Sequence, residues 1–153
     1  MSDIPPITNF KVLPKHIGVW EGDWTILDGD CKEKMKFTAV LTQKIVDNQW
    51  RQTNVQTYAN GQSETQNFVG HVVGEGQIAI ESPDSPFSNY KTLATEVGED
   101  LIIFQVWEKA TGSLRAVETI NLINSGERIR TTQSLTPEGK LRGIMVVVER
   151  RIE

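Results

Sequence analysis

The segment that decides the fold is His16-Ile17-Gly18-Val19-Trp20-Glu21-Gly22-Asp23-Trp24-Thr25-Ile26, which places two tryptophans four residues apart. In an α-helix residues four apart share a face, whereas in a strand all residues at even spacings do. As a strand, the segment has one apolar face with both tryptophans and an opposite face with Glu21 and Asp23. A helix would place Glu21 beside Trp24 and leave glycines inside a weak helix. We therefore predict a half-buried strand with both tryptophans pointing inward.

The composition indicates one folded domain and excludes several kinds of partner. The 153 residues, 38% of them hydrophobic and 24% charged, can bury about two-thirds of the unfolded surface, so we predict a single domain over residues 1-153. A formal net charge of -4 argues against a nucleic-acid partner. The single cysteine, Cys31, excludes an internal disulfide. Because neither a signal segment nor a run of about 20 apolar residues is present, we expect a cytoplasmic protein without a membrane span.

Turn signals recur along the chain at short intervals and predict its architecture. They separate ten segments that are rich in Val, Ile, Thr, Phe and Trp, which is typical of an all-β barrel or sandwich. We predict an all-β, antiparallel, up-and-down β-barrel of eight to ten strands. The turn signals lie at residues 28–30, 47–48, 59–61, 74–76, 83–86, 98–100, 111–112, 124–126 and 137–139.

The N-terminal segment differs from the rest of the chain. Residues 1-17 include Phe10, Val12, Leu13 and Ile17, which are too apolar to be left in water. We predict that residues 1-17 form a short helical plug across one barrel end and that residues 18-152 form the barrel.

Two of the predicted strands, around Arg51 and Arg130, have no purely apolar face. Buried polar groups need hydrogen-bond partners, so a dry core would tolerate such strands poorly. A barrel around a wet or ligand-filled cavity would tolerate them well. The alternative, which the sequence leaves open, is that one face is solvated and the opposite polar residues lie near the barrel rim.

The start and the end of the barrel carry a resemblance to a known family. Gly18-Val19-Trp20 is similar to the glycine-any-tryptophan signature of lipocalins, whose tryptophan closes the barrel base beneath a late arginine. Together with residues 50–70 and 127–152, this motif resembles an uncharacterised bacterial lipocalin-like family of the calycin group. The resemblance covers about residues 16 to 152 and implies a lipocalin-like barrel in which Arg150 or Arg151 packs on Trp20.

The last two strands are distantly similar to the S-type phycobilin lyases, which hold a linear tetrapyrrole during its attachment to a phycobiliprotein cysteine. In those proteins a strand with an arginine-Thr-Ser run precedes a final strand with a glutamate and an arginine. The comparable places in this chain hold Arg130-Thr131-Thr132 and Glu149-Arg150-Arg151. Residues 145–148 replace the cysteine-containing stretch of the lyases. The resemblance implies a shared pocket rather than lyase activity.

The residues offer little for catalysis, metals or cofactors. A hydrolase triad would have to use His16 or His71, the only two histidines, and a GxSxG elbow is missing. Convergent zinc ligands are missing as well. A bacterial barrel family related to nitrobindins binds haem through a late histidine, and this chain has none after His71. We predict a protein without a cofactor that is more readily a binding protein than an enzyme.

The sequence thus predicts a binding protein for a small amphipathic, anionic ligand in the barrel cavity. A bilin chaperone or lyase-like protein is the first alternative, and a small-molecule enzyme such as an isomerase is the second. A homodimer through an Ile102-Ile103-Phe104 edge or the Val146-Val147-Val148 run stays open. The predicted apolar wall is Trp24, Phe37, Phe68 and Trp107, and the predicted charged end is Arg51 and Arg130. Glu149 or Glu118 would serve as a carboxylate partner of an inward arginine.

Overall fold

A computed structural model describes residues 4–153 of the chain. Ten strands form a closed antiparallel barrel in which each strand pairs with the next along the chain and the last pairs with the first. This architecture confirms the predicted all-β barrel, and the nine predicted turns coincide with its nine connections. The strands are β1 (Gly18–Asp28), β2 (Glu33–Val46), β3 (Gln49–Thr57), β4 (Ser63–Gly74), β5 (Gln77–Glu81), β6 (Tyr90–Val97), β7 (Leu101–Glu108), β8 (Leu114–Asn124), β9 (Glu127–Leu135) and β10 (Leu141–Arg151).

The opening segment forms β1 with the predicted alternation. Trp20 and Trp24 are buried, while Glu21 and Asp23 are exposed on the outer face. The hairpin that joins β2 to β3 is as tight as the Asp47-Asn48 signal predicts. Both residues have positive φ, 52° and 61°, as the two central residues of a type I′ turn require.

The N-terminal segment covers one end of the barrel, as predicted, and contains two 3₁₀-helices, Ile7–Asn9 and Leu13–His16. Its apolar residues join a core cluster that also contains Trp50, Ile78, Ala94 and Ile102 from the barrel wall. Residues 1–3 of the predicted plug lie outside the described residues. Ile17 is 39% exposed, so the expectation that it packs into the plug is wrong. The plug residues in the cluster are Ile7, Phe10, Val12 and Leu13.

One carboxylate fastens the plug to the barrel. Glu96, on the inner face of β6, accepts hydrogen bonds from the backbone N–H groups of Lys11, Val12 and Leu13 at 2.9, 2.6 and 2.6 Å. These donors would otherwise be left without partners at the start of a short helix, which carries a cost comparable with a lost hydrogen bond.

Trp20 closes the barrel base between two guanidinium groups. Arg151 lies 4.4 Å from the ring centroid, and this distance identifies which of the two candidate arginines packs on the tryptophan. Arg128 lies 4.2 Å from the same centroid and was not expected. The indole Nε1 donates to the backbone carbonyl of His16 at 2.9 Å, which links the plug to β1.

Closure of the barrel removes the sheet edge on which one dimer seam was predicted. Of the three residues of the predicted edge, Ile102 and Phe104 point inward and Ile103 points outward. In the run of residues 146–148 in β10, Val147 is buried. The predicted Ile102-Ile103-Phe104 edge is therefore wrong, and only alternate residues of the two runs reach the outer surface. Among residues 4–153, no helix is long and apolar enough to span a bilayer.

Candidate ligand-binding cavity

The barrel encloses a cavity of about 560 Å³ that opens at the end opposite the plug. Tyr58, Phe87 and Arg142 line its mouth, and Arg130 lies at its inner end. Pockets of about 300–1,000 Å³ are typical of small-molecule sites. At the plugged end of the barrel, the inward side chains pack against one another and against the plug. Toward the mouth, the inward side chains of opposite strands do not meet, and the cavity lies between them.

Aromatic side chains from neighbouring strands form much of the wall. Trp24 of β1 stacks on Phe37 of β2 with ring centroids 5.4 Å apart, and Phe37 contacts Tyr58 at 5.5 Å. On the other side of the mouth, Phe68 of β4 meets Phe87 edge to face at 5.3 Å. Trp24 and Phe37 are partners in the β1–β2 register, so the sheet itself sets their stacking.

Charged groups replace this apolar wall at the inner end. The guanidinium carbon of Arg130 lies 5.5 Å from the Trp24 ring centroid. Its Nε is 3.2 Å from Glu149, and its NH1 is 3.7 Å from Oε1 of Glu118. Glu118 instead accepts a short hydrogen bond from the Thr132 hydroxyl, its register partner in β9. Because 3.7 Å exceeds hydrogen-bond distance, Arg130 holds donors that Glu118 does not use.

Beneath this inner end, a second guanidinium is completely enclosed. Arg128 donates from Nε to Glu149 at 2.7 Å and from NH1 to Oε1 of Gln43 at 2.7 Å. The same NH1 lies 2.8 Å from Nδ1 of His16. A guanidinium can only donate, so Nδ1 is the acceptor and the imidazole proton is on Nε2. Gly22 faces Glu149 across the β1–β10 ladder, and a Cβ at Gly22 would lie 2.6 Å from the Glu149 side chain.

Burial and mutual charge determine the protonation of this cluster. Burial lowers the pKa of His16 to about 2, and the positive charges of Arg128, Arg130, Arg151 and Lys15 add to the effect. Burial lowers the pKa of Arg128 to about 10, so it stays charged at neutral pH. Burial alone would raise the pKa of Glu149, but the adjacent Arg130 and Arg128 outweigh burial and hold that pKa below its usual range.

A chain of amide side chains explains the mixed faces of β3. Gln43 donates to Gln52 at 2.9 Å, Trp50 donates to the same Gln52 oxygen at 3.1 Å, and Gln52 donates to Asn54 at 2.9 Å. Their inward polar groups satisfy one another, so β3 can be polar on both faces without leaving these groups unpaired. Gln52, Asn54 and Gln56 make the cavity wall polar along β3, while the opposite face of the strand, with Arg51, is solvated.

The structure brings together four of the seven predicted site residues. Trp24, Phe37, Phe68 and Arg130 line the cavity. Glu149 is fully buried behind Arg130 as its carboxylate partner and does not belong to the lining.

Arg51 and Trp107 lie outside the cavity, and their predicted inward orientation is wrong. Arg51 is exposed on the outer face of β3, opposite Lys44, and donates to Gln49 at 2.7 Å. Trp107 is on the outer face of β7, in the row of Lys91, while the preceding Val106 lines the cavity. In both strands the side chains one residue away point inward, because successive residues of a strand face opposite sides.

Several residues of the cavity and its base were missed from the sequence. Arg128 is two residues before Arg130, so the strand period places both on one face and could have revealed it. Glu118, expected with Glu149 as a carboxylate partner of an inward arginine, lies opposite Thr132 in the β8–β9 register. The role of His16 carries no signal of its own in the sequence.

No family model matches the chain, and no curated protein matches it. Solved structures share its fold. The S-type phycobiliprotein lyase of Guillardia theta is 11% identical, with a TM-score of 0.68 over 92% of this chain and 90% of the lyase. The Mycobacterium tuberculosis protein Rv2717c is 14% identical, with a TM-score of 0.68 over 99% of this chain and 100% of that protein.

A protein of unknown function from Nostoc punctiforme, a member of the DUF3598 family, is 16% identical with a TM-score of 0.63 over 92% of this chain. This chain spans only 49% of the length of the Nostoc protein. At such identities the three likenesses show a shared barrel fold, and membership of the lipocalin-like family stays a prediction.

Proposed function

We propose that the protein binds a small amphipathic molecule inside the barrel. The observation that carries this proposal is a cavity of about 560 Å³ with an aromatic wall and a charged inner end. Trp24, Phe37 and Phe68 would contact the apolar body of the ligand, and Arg130 would contact its polar group. A mostly apolar pocket with a few convergent polar groups is the usual form of a small-molecule site.

The unused donors of Arg130 support an acidic polar group on the ligand. Besides the Trp24 ring, its contacts within residues 4–153 are the ion pairs with Glu149 and Glu118, and its Nε has no hydrogen bond of good geometry. A ligand carboxylate could approach the guanidinium to about 2.8 Å and form the charge-assisted hydrogen bonds that Glu118 does not form at 3.7 Å.

Substitution of Arg130 tests the proposal, and Arg51 supplies a matched control. Both arginines lie in central strand positions, but only Arg130 lines the cavity. Arg130→Met should weaken binding of the anionic fluorophore anilinonaphthalene sulfonate by about 10- to 150-fold, which corresponds to about 1.5–3 kcal/mol. Arg51→Met should leave this affinity unchanged, and the neutral dye Nile red should bind all three proteins equally. The proposal fails if neither dye binds the parent protein and neither dye quenches its tryptophan fluorescence.

A bilin chaperone is the second candidate, and the fold shared with the S-type phycobiliprotein lyase of Guillardia theta favours it. In this chain the aromatic wall would contact the conjugated rings, and Arg130 would contact a propionate. As a bilin chaperone, this chain would hold the bilin without forming a covalent bond to it, because Cys31, its only cysteine, lies in the β1–β2 turn rather than on the inner wall. Titration with free biliverdin tests it: a shifted and intensified visible band supports this function, and an unchanged spectrum refutes it.

A further inference from the structure

A row of amide side chains leads from the buried base of the barrel to the middle of the cavity wall. Arg128 donates from NH1 to Oε1 of Gln43 at 2.7 Å, and Gln43 donates to Gln52 at 2.9 Å. Gln52 then donates to Oδ1 of Asn54 at 2.9 Å. Asn54 is 6% exposed and lines the cavity. Every hydrogen bond of this amide row therefore runs in one direction, from the guanidinium toward the cavity, and Asn54 is the last member.

Side chains that can only donate fix the direction of the amide row. The oxygen and nitrogen of an amide can exchange places, so their assignment needs a neighbour with a single role. Arg128 has no acceptor atom, so the atom of Gln43 that it contacts is the oxygen. The indole of Trp50 has none either, and its Nε1 lies 3.1 Å from the oxygen of Gln52. The nitrogen of Gln52 must then face Asn54, whose oxygen accepts its hydrogen bond.

This assignment leaves the amide nitrogen of Asn54 as an unused donor. Its Nδ2 has no hydrogen-bond partner within residues 4–153, and it is not one of the polar atoms that the fold encloses without a partner. It is therefore open to the cavity that Asn54 lines. Polar groups of buried side chains are normally hydrogen-bonded, so the cavity has to supply an acceptor. A chain of hydrogen bonds that begins at a cation also polarises its members, which strengthens the last donor.

The neighbouring amide does not have a fixed direction. Gln66 lies opposite Asn54 in the β3–β4 register and also lines the cavity. It bonds to Gln56 at 3.4 Å, and Gln56 contacts the hydroxyl of Tyr58, which can either donate or accept. Asn54 is therefore the amide of this wall whose free atom is defined as a donor.

We propose that Nδ2 of Asn54 donates a hydrogen bond to an uncharged carbonyl oxygen in the middle of the ligand. This role rests on the proposed binding of an acidic amphipathic molecule and narrows its class. Asn54 lies four residues from Trp50, in the plugged end, and four from Tyr58, at the mouth, so it faces the middle of the cavity. In the closed ring of ten strands, β3 and β9 are four strands apart, which places Asn54 and Arg130 on nearly opposite walls. The ligand is then an acid whose apolar body carries a carbonyl group away from its acidic group.

A series of acids that differ only in one carbonyl group tests the proposal. Dodecanoic acid is compared with oxododecanoic acids in which the carbonyl moves along the chain, and calorimetric titration gives each dissociation constant. At one chain position the oxo acid should bind the parent about 2- to 12-fold more tightly than dodecanoic acid, which is the contribution of one neutral hydrogen bond. Asn54→Leu should abolish this preference, because leucine has a similar size and no donor. The readout is the ratio of the two dissociation constants within each protein.

Two further variants make the test specific to the donor. Asn67→Leu is the matched control, because Asn67 is exposed on the outer face of β4 and should leave the preference unchanged. Asn54→Asp should abolish the preference as Asn54→Leu does. Aspartate keeps an oxygen for Gln52 and replaces only the donor, so this variant serves should Asn54→Leu not fold.

The outcomes separate the role of Asn54 from the proposed function. A parent that binds no oxo acid more tightly than dodecanoic acid overturns the role, as does a preference that both Asn54 variants retain. Arg130→Met should weaken dodecanoic acid and the favoured oxo acid by the same factor, since the two contacts are on different walls. If Arg130→Met weakens all the acids and no carbonyl position is favoured, only the role of Asn54 fails. If the parent binds none of the acids, the proposed acidic ligand and the role of Asn54 fail together.

Discussion

The enclosed His16 should make the stability of the protein depend on pH in a range where few other side chains titrate. Lowering the pH from 7 to 5 should reduce the free energy of unfolding by about 2 kcal/mol. His16→Asn should remove most of this loss. The asparagine oxygen can take the place of Nδ1 and continue to accept the hydrogen bond from Arg128, whereas asparagine cannot be protonated.

The magnitude follows from the difference between the pKa of His16 in the two states. Its ordinary pKa is 6.5, and in the folded protein burial and four nearby cationic side chains lower it to about 2. Below pH 6.5 the unfolded chain therefore binds a proton that the folded protein does not bind, so stability is lost as the pH falls. Each pH unit below 6.5 costs about 1.4 kcal/mol, which amounts to about 2 kcal/mol at pH 5. Any folded pKa below about 4 gives the same loss at pH 5.

Urea unfolding at pH 7, 6 and 5 measures this loss for the parent, His16→Asn and His71→Asn. His71 is the only other histidine and is exposed on the outer face of β4, so its substitution should leave the pH dependence of the parent unchanged. The reasoning is refuted if His16→Asn loses as much stability between pH 7 and 5 as the parent does. It is also refuted if His71→Asn is the variant that removes the loss.

The remaining predictions concern the base of the barrel and the plug. Trp20→Ala should lower the free energy of unfolding in urea by about 3–5 kcal/mol, because it removes a buried ring and two cation–π contacts; a variant within about 1 kcal/mol of the parent would contradict this. Glu149→Gln should lower the free energy of unfolding in urea by about 3–5 kcal/mol, because it removes the buried carboxylate that pairs with two guanidinium groups. Adding Arg128→Met to this variant should restore part of the lost stability. Glu96→Gln should increase hydrogen exchange of the plug amides that the carboxylate binds by about ten-fold or more, with unchanged exchange as the contrary result.

The sequence alone determined the strands, the turns and the inward face of β1. Alternation with a period of two residues is a local property, and turns require glycine, asparagine or aspartate at particular backbone angles. Trp20 and Trp24 are therefore placed correctly without knowledge of any other strand. Phe10, Val12 and Leu13 of the plug were identified from their apolar character alone, whereas Ile17, equally apolar, is exposed in the fold.

Orientation within the mixed strands was decided by the tertiary structure. In β3 the polar residues alternate with other polar residues, so no local pattern shows which face is inside. Trp50 packs into the core and Gln52 and Asn54 bond to each other, which fixes that face inward and sends Arg51 to the outside. The predicted inward orientation of Trp107 was wrong for a similar reason. The neighbouring Val106 is an equally apolar candidate for the inner face, and it is Val106 that lines the cavity.

The charged base of the cavity could be formed only by closure of the barrel. Arg128 is 112 residues from His16 and 85 from Gln43 in sequence, yet it contacts both. Each of these side chains is well solvated in an open chain, and nothing in its neighbours along the sequence indicates burial. Joining β10 to β1 and covering the end with the plug removes the water and brings the arginines, the glutamate and the neutral histidine into contact. Within the described residues His16 Nε2, Arg128 NH2 and Glu149 Oε2 still have no hydrogen-bond partner.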